Sequence, residues 1–199
     1  MRARIQRRYG TERGLVRLAL AGLEQRAGRL HAYTDGVDLA RVRRFVFVCL
    51  GHICRSPYAE HIARRAGLPC ASLGLSTSTG APAFEDAIAT AAARGGDLGA
   101  HRATDLADFG LRDGDLLLAM EVRQARRLQG AVAGRDVQIA LLGAWATPQR
   151  LHIHDPHTLG AAYFDTCFQV IESAVAGLAA AYFRVRPDAP RTPPAGASA

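Results

Sequence analysis

The sequence predicts an α/β fold in which a parallel sheet is covered by helices on both faces, with a helical extension ahead of it. Three observations predict it. Short apolar runs alternate with helical patterns along most of the chain, as parallel strands joined by right-handed crossovers require. The first run ends in a tight loop that opens straight into a helix, giving a strand–loop–helix unit. The length of 199 residues, 49% of them hydrophobic, suits one such domain with a proper core.

In chain order, MRARIQRR reads as disordered. A helix is expected from about Thr11 to His31, because Leu15, Ala19, Leu23, Ala27 and Leu30 recur at helical spacing and Val16 and Leu20 widen the stripe. Tyr33-Thr34-Asp35-Gly36 marks a turn. Phe45 to Leu50 is the first strand, an unbroken run rich in Val and Phe. Ser56 then reads as an N-cap and Pro57 as the first position of a helix to Ala66, stopped by Gly67 and Pro69. Cys70 to Leu75 is the second strand, and Ala81 to Arg94 an Ala-rich helix ended by Gly95-Gly96. Asp115 to Met120 and Val137 to Leu142 are the third and fourth strands, with a helix from Glu121 to Gln129 between them. Tyr163 to Arg184 closes the domain, with Phe164, Phe168, Ile171, Val175 and Leu178 on one face. The boundaries expected are therefore an extension over 1–43, a domain over 44–184, and a Pro- and Ala-rich disordered tail over 185–199.

Charge is unevenly placed. Residues 1–44 hold eleven Arg against four acids, and the remainder of the chain is neutral. All 25 basic residues are Arg. The extension is expected to pack on the domain, with an acidic partner or an anionic membrane surface as its other candidate contact; nucleic acid is disfavoured, since no aromatic platform accompanies the arginines. It is expected to be dispensable for chemistry, because every candidate catalytic residue lies beyond it. No apolar run approaches the roughly 20 residues that cross a bilayer. Four cysteines without zinc-ligand spacing are too sparse for a secreted disulfide scaffold, which points to a reduced, cytoplasmic protein.

The chemistry concentrates in Cys49-x5-Arg55-Ser56. Loop N–H groups and a helix N-terminus aimed at one spot suit an anion. A thiol facing them and an arginine favours its nucleophilic thiolate form. The planar guanidinium of Arg55 can grip two oxygens of a phosphate while sulfur attacks phosphorus. Asp155-Pro156, far downstream and just before the closing helix, offers a carboxyl to protonate a departing oxygen. Cys49 and Cys54 lie within one tight loop, so Cys54 could trap an oxidised Cys49 as a disulfide. His152, His154 and His157 are closely spaced, but no further ligand set accompanies them and this chemistry needs no metal or other cofactor. Cys70 and Cys167 read as core residues.

Val48-Cys49-Leu50-Gly51-His52-Ile53-Cys54-Arg55-Ser56-Pro57 resembles the phosphate loop of low-molecular-weight protein tyrosine phosphatases. Later landmarks follow in the family's order, over roughly residues 44 to 184. The resemblance implies a flavodoxin-like four-stranded sheet ordered 2-1-3-4 and hydrolysis of phosphotyrosine in a protein substrate through a phosphocysteine. It implies Cys49 as nucleophile, with Arg55 and the N–H groups of Leu50, Gly51, His52, Ile53, Cys54 and Ser56 holding phosphate. Asp155 is implied as acid and then base. The Ser56 hydroxyl is implied to ease departure of the thiolate, and Ser72 and His101 to support the loop. Two positions depart from the family. His52 stands where Asn is usual; both residues suit a left-handed backbone, but an imidazole titrates near pH ~6.5, so a distinct pH response is expected. His157-Thr158 stands where aromatic residues usually wall the ring of the substrate. Three alternatives carry less of the pattern. An arsenate reductase would need relay cysteines, and residues 71–166 contain none. A phosphoarginine phosphatase would carry Thr where Ile53 stands. A silent phosphate-binding adaptor would have no reason to keep Cys49, Arg55 and Asp155 together.

Overall fold

The computed structural model describes residues 1–191. Residues 192–199, most of the tail expected to be disordered, lie outside the described residues. β1 (Arg44–Cys49), β2 (Cys70–Gly74), β3 (Asp115–Ala119) and β4 (Gln138–Leu141) form one parallel sheet in the order 2-1-3-4. β1 is central, with Phe47 in register with Ser72 on one side and Leu118 on the other. After β2 the chain crosses to β3 on the far side of β1. The carboxyl end of β1 therefore faces the crevice where strand order switches, the usual ligand position in such sheets.

Alternation along β1 divides the core in two. Phe45, Phe47 and Cys49 face the side of α3 (Arg55–Arg65), α4 (Glu85–Ala93) and α6 (Ala161–Val185), against Tyr58, Phe164, Phe168 and Ile171. Val46 and Val48 face the side of α5 (Val122–Ala131), against Leu117, Ala125 and Leu128. Each fully buried side chain of this size contributes about 1.5–3 kcal/mol. Cys49 thus belongs to the α3 face and lies directly under that helix's first turn.

Two helix starts differ from expectation. α3 begins at Arg55 with Cys54 at the cap position, and no side chain caps it. Ser56 is inside the helix because the loop turns at His52, whose φ is 53°, early enough for helical geometry to set in ahead of Pro57. α4 begins at Glu85, not Ala81. Its expected first turn is extended: Ala81 O accepts from Ala103, Pro82 bridges to Arg102, and the Phe84 N–H donates to Ile53 O.

The extension is ordered throughout. Where disorder was expected, α1 (Arg2–Tyr9) packs on α6 and on α2 (Glu12–Arg26). Thr11 caps α2 by accepting from the Gly14 N–H at 3.0 Å. α2 ends at Arg26, and Gly28, at φ 72°, turns the chain so that Leu30 and Tyr33 enter the α5-side core. Part of the stripe expected to pack instead faces outward: Val16, Leu20 and Leu23 are each more than half exposed, while Leu15 is half-buried and only Leu30 of the stripe's leucines is fully enclosed. The buried face carries Gly14 and Ala21, whose small side chains allow the backbone a close approach. Past α6, residues 186–191 are also placed: Arg186 donates to Ala40 O and Val42 O, and Arg191 lies over the Phe183 ring at 4.3 Å.

Candidate active site

Cys49 ends β1 and its sulfur lies at the floor of the following loop, only 2% exposed. The His52 N–H donates to Sγ at 3.2 Å and the Ser56 hydroxyl donates to it at 3.0 Å. The loop's carbonyls are anchored outward: Cys49 O, Leu50 O and Ile53 O accept from Leu75, Ser76 and Phe84, and His52 O from His101. In a planar trans peptide the following N–H points the opposite way. The N–H groups of Leu50, Gly51, Ile53 and Cys54 are thereby turned inward, above the sulfur.

His52 does not face this cavity. Its Nδ1 accepts from the Thr104 N–H at 2.8 Å, which leaves the proton on Nε2, 2.6 Å from the Ser72 hydroxyl. Ser72 in turn donates to Glu60. The His101 Nε2–H donates to His52 O at 2.7 Å. Ser72 and His101 therefore both brace the loop at the same residue. Burial, then the neighbouring His101, push the His52 imidazole down to about 3. The titration expected near neutrality is displaced because the ring is enclosed and serves as a neutral donor and acceptor.

Arg55 is 1% exposed and ties three segments together. One terminal nitrogen donates to Glu121 at 2.8 Å and to Ile153 O at 2.9 Å; the other meets the Asp155 carboxylate at 2.7 Å. Its Nε, also buried, has no hydrogen-bond partner among the described residues. Burial opposes the charge of Arg55, but Asp155, Cys49 and Glu121 outweigh it and hold the guanidinium protonated. The structure thus brings Cys49, Arg55 and Asp155 together from positions 49 to 155. A buried, singly directed N–H beside inward backbone donors is what a tetrahedral oxyanion would satisfy.

Residues 44–186 match the model of the low molecular weight phosphotyrosine protein phosphatase family. The chain belongs to that family. AmsI of Erwinia amylovora is 34% identical over 139 residues, which span 67% of this chain and 92% of that one. Ptp of Acinetobacter johnsonii, a low molecular weight protein-tyrosine-phosphatase, is 31% identical over 136 residues, spanning 67% and 94%. Among solved structures, the AmsI tyrosine phosphatase superposes with a TM-score of 0.63 at 29% identity, covering 75% of this chain and 97% of that one. Wzb of Vibrio vulnificus, in complex with benzylphosphonate, gives 0.62 at 25% identity over 70% and 98%.

In this phosphatase the sequence reading missed two residues of the site. Glu121 is buried against Arg55, Arg123 and Gln124; burial opposes its charge, but Arg55 outweighs burial and holds the carboxyl ionised, pushed down to about 2. An acid ending a buried strand was the available signal. Phe84, in the loop before α4, lies against the phosphate loop, its N–H donating to Ile53 O and its ring 4.7 Å from that of His157. The three close histidines do not converge: His157 turns to Phe84, while His152 and His154 stand 3.4 Å apart. Cys54 is buried, and burial, then Asp155 and Cys49, push its thiol upward.

Proposed function

We propose that the chain is a protein-tyrosine phosphatase that hydrolyses phosphotyrosine, an aryl phosphate monoester, through a phosphocysteine. The observation that carries this is Arg55, whose guanidinium lies between the Cys49 loop and Asp155 with its Nε unpartnered among the described residues. The inward N–H groups and Arg55 take the phosphoryl oxygens; the Asp155 carboxylate yields its place on Arg55 to one of them and, released from that ion pair, takes up a proton from solvent. Cys49 sulfur attacks phosphorus; the S–P bond forms as the bond to the aryl oxygen breaks, and Asp155 gives its proton to that oxygen. Water then attacks phosphorus, Asp155 takes its proton, and the S–P bond breaks. The departing thiolate keeps the Ser56 hydrogen bond, and inorganic phosphate leaves. Phe84 lies against Ile53 of the phosphate loop and against the His157 ring, a grouping that suits an aryl substituent on the phosphate. Cysteine usage too sparse for a secreted disulfide scaffold supports a reducing compartment, which we take to be the cytoplasm.

Hydrolysis of an aryl phosphate by purified variants tests the scheme. Cys49→Ser is expected to abolish turnover. Arg55→Ala should cost at least about 10²–10³-fold, as loss of a preorganised charge donor does. Asp155→Asn should cost about 10²–10⁴-fold, with the loss falling on release of the phenol. Wild-type rates from Cys49→Ser would end the phosphocysteine proposal.

A further inference from the structure

The segment from Arg150 to Gly160 carries Asp155 but contains no helix or strand. Its own domain holds it at Ile153, whose N–H donates to Met120 O, and at His154 O, which accepts from the Tyr163 hydroxyl at 3.2 Å. Thr158 within it has φ 64°, a left-handed conformation that a β-branched residue keeps only where its surroundings impose it.

Those surroundings include the extension. Thr11 Oγ1 lies 3.0 Å from His154 Nε2 while the same oxygen caps α2. Gly10 and Gly14 lie flat against the His154 ring: a Cβ on either would fall 2.6 Å from Cδ2 or 2.9 Å from Cγ, so both positions require glycine for this approach. At the start of the segment Arg150 donates to Arg8 O and lies over the Tyr9 ring at 5.0 Å. Arg17 stands 3.9 Å from Glu121, the other carboxylate on Arg55. All of these contacts come from residues ahead of the part matched by the family, 44–186.

We infer that the N-terminal extension is a brace for the acid loop, with Thr11 a positioning residue that sets Asp155 through His154. This rests on the phosphatase reading, in which Asp155 protonates the leaving group. A general acid works only within hydrogen-bond reach of the departing oxygen, and displacement by about 1 Å can cost 10²-fold. On this inference the extension positions the catalytic acid, where the sequence alone led to the expectation that chemistry could do without it.

The test compares full-length wild type, Thr11→Val and Thr11→Ser on two substrates, phenyl phosphate and 2,4-dinitrophenyl phosphate. The first needs its leaving group protonated and the second does not. Thr11→Val is expected to lower kcat/KM for phenyl phosphate by about 10-fold or more, within the range a general acid supplies, and to leave dinitrophenyl phosphate within about 2-fold. Inhibition by inorganic phosphate should not change, and Thr11→Ser, which keeps the hydroxyl, should behave as wild type. Amide hydrogen exchange reads the brace without turnover: exchange over residues 153–160 should quicken in Thr11→Val, while Val46 and Leu117 in the sheet stay protected. An equal loss on both substrates, or unchanged exchange in the loop, overturns the inference. A wild type inert on both substrates would instead sink the phosphatase reading, and the exchange comparison would still decide the brace.

Discussion

His52 shows how one side chain can be legible in conformation and illegible in charge. Its place in a loop that must curl around an anion predicts a left-handed backbone, and φ is 53°. Its protonation could not be read, because that depends on Thr104, Ser72 and His101, which approach from three other segments. The ring is pushed down to about 3, first by burial, so at pH 5 only about 1% carries the charge. His52→Asn is therefore expected to lose stability, since a shorter amide does not span from Thr104 to Ser72, yet to keep the wild-type pH dependence. Profiles of kcat/KM and of phosphate inhibition should superimpose between about pH 5 and 8. An ionisation near neutrality present in wild type and absent in His52→Asn would show that the imidazole titrates beside the bound anion.

At the scale of elements, the sheet was legible because each strand is a short apolar run with breakers on both sides. Cys49 and Arg55 were legible as one local unit, whereas Asp155, by itself no more than a turn signal, was singled out through the resemblance to the family's acid loop. What the sequence could not show is which neighbour an amphipathic surface meets. α2 exposes Val16, Leu20 and Leu23 because it is seated through Gly14 and Ala21, and small residues leave little periodic signal. Phe84 was hidden for a similar reason: the turn of helix expected around it is extended and hydrogen-bonded to the phosphate loop. The acid loop offers a test at this scale. Thr158 is a β-branched residue at φ 64°, a conformation costing about 1–3 kcal/mol that Asn tolerates far better. Thr158→Asn is expected to raise the unfolding midpoint, read by thermal denaturation. A lowered midpoint would mean that the Thr158 methyl packs too favourably to be given up.

For the whole molecule, the distribution of buried histidines fixes how the fold responds to acid. Five of the seven histidines, His52, His61, His101, His152 and His154, have proton affinities lowered in the folded state, with burial the largest cause in each. His52 is pushed down to about 3 and His152 to about 4. Unfolding releases each ring to its ordinary value near ~6.5, so below that pH the unfolded chain binds protons that the folded chain refuses. The stability these rings contribute is complete above pH ~6.5 and is lost as pH falls; for the buried His52 and His152 the loss runs toward 3 and 4, at about 1.4 kcal/mol per tenfold difference in proton affinity, and it is smaller for the half-exposed His61, His101 and His154, which solvent screens. Glu121, lowered to about 2, acts in the same direction but only below its unfolded value, so its loss begins near pH ~4.3. Four of the five rings lie on two loops of the site, His52 and His101 around the phosphate loop and His152 and His154 beside Asp155. Urea unfolding of the full chain is expected to show stability level between pH 8 and 7 and falling from about pH 6.5, above the range where carboxylates protonate. The fall should be shallower in His52→Asn, which removes one of the strongest contributors. Stability that stays flat down to pH 5 would mean that the buried rings accept protons in place.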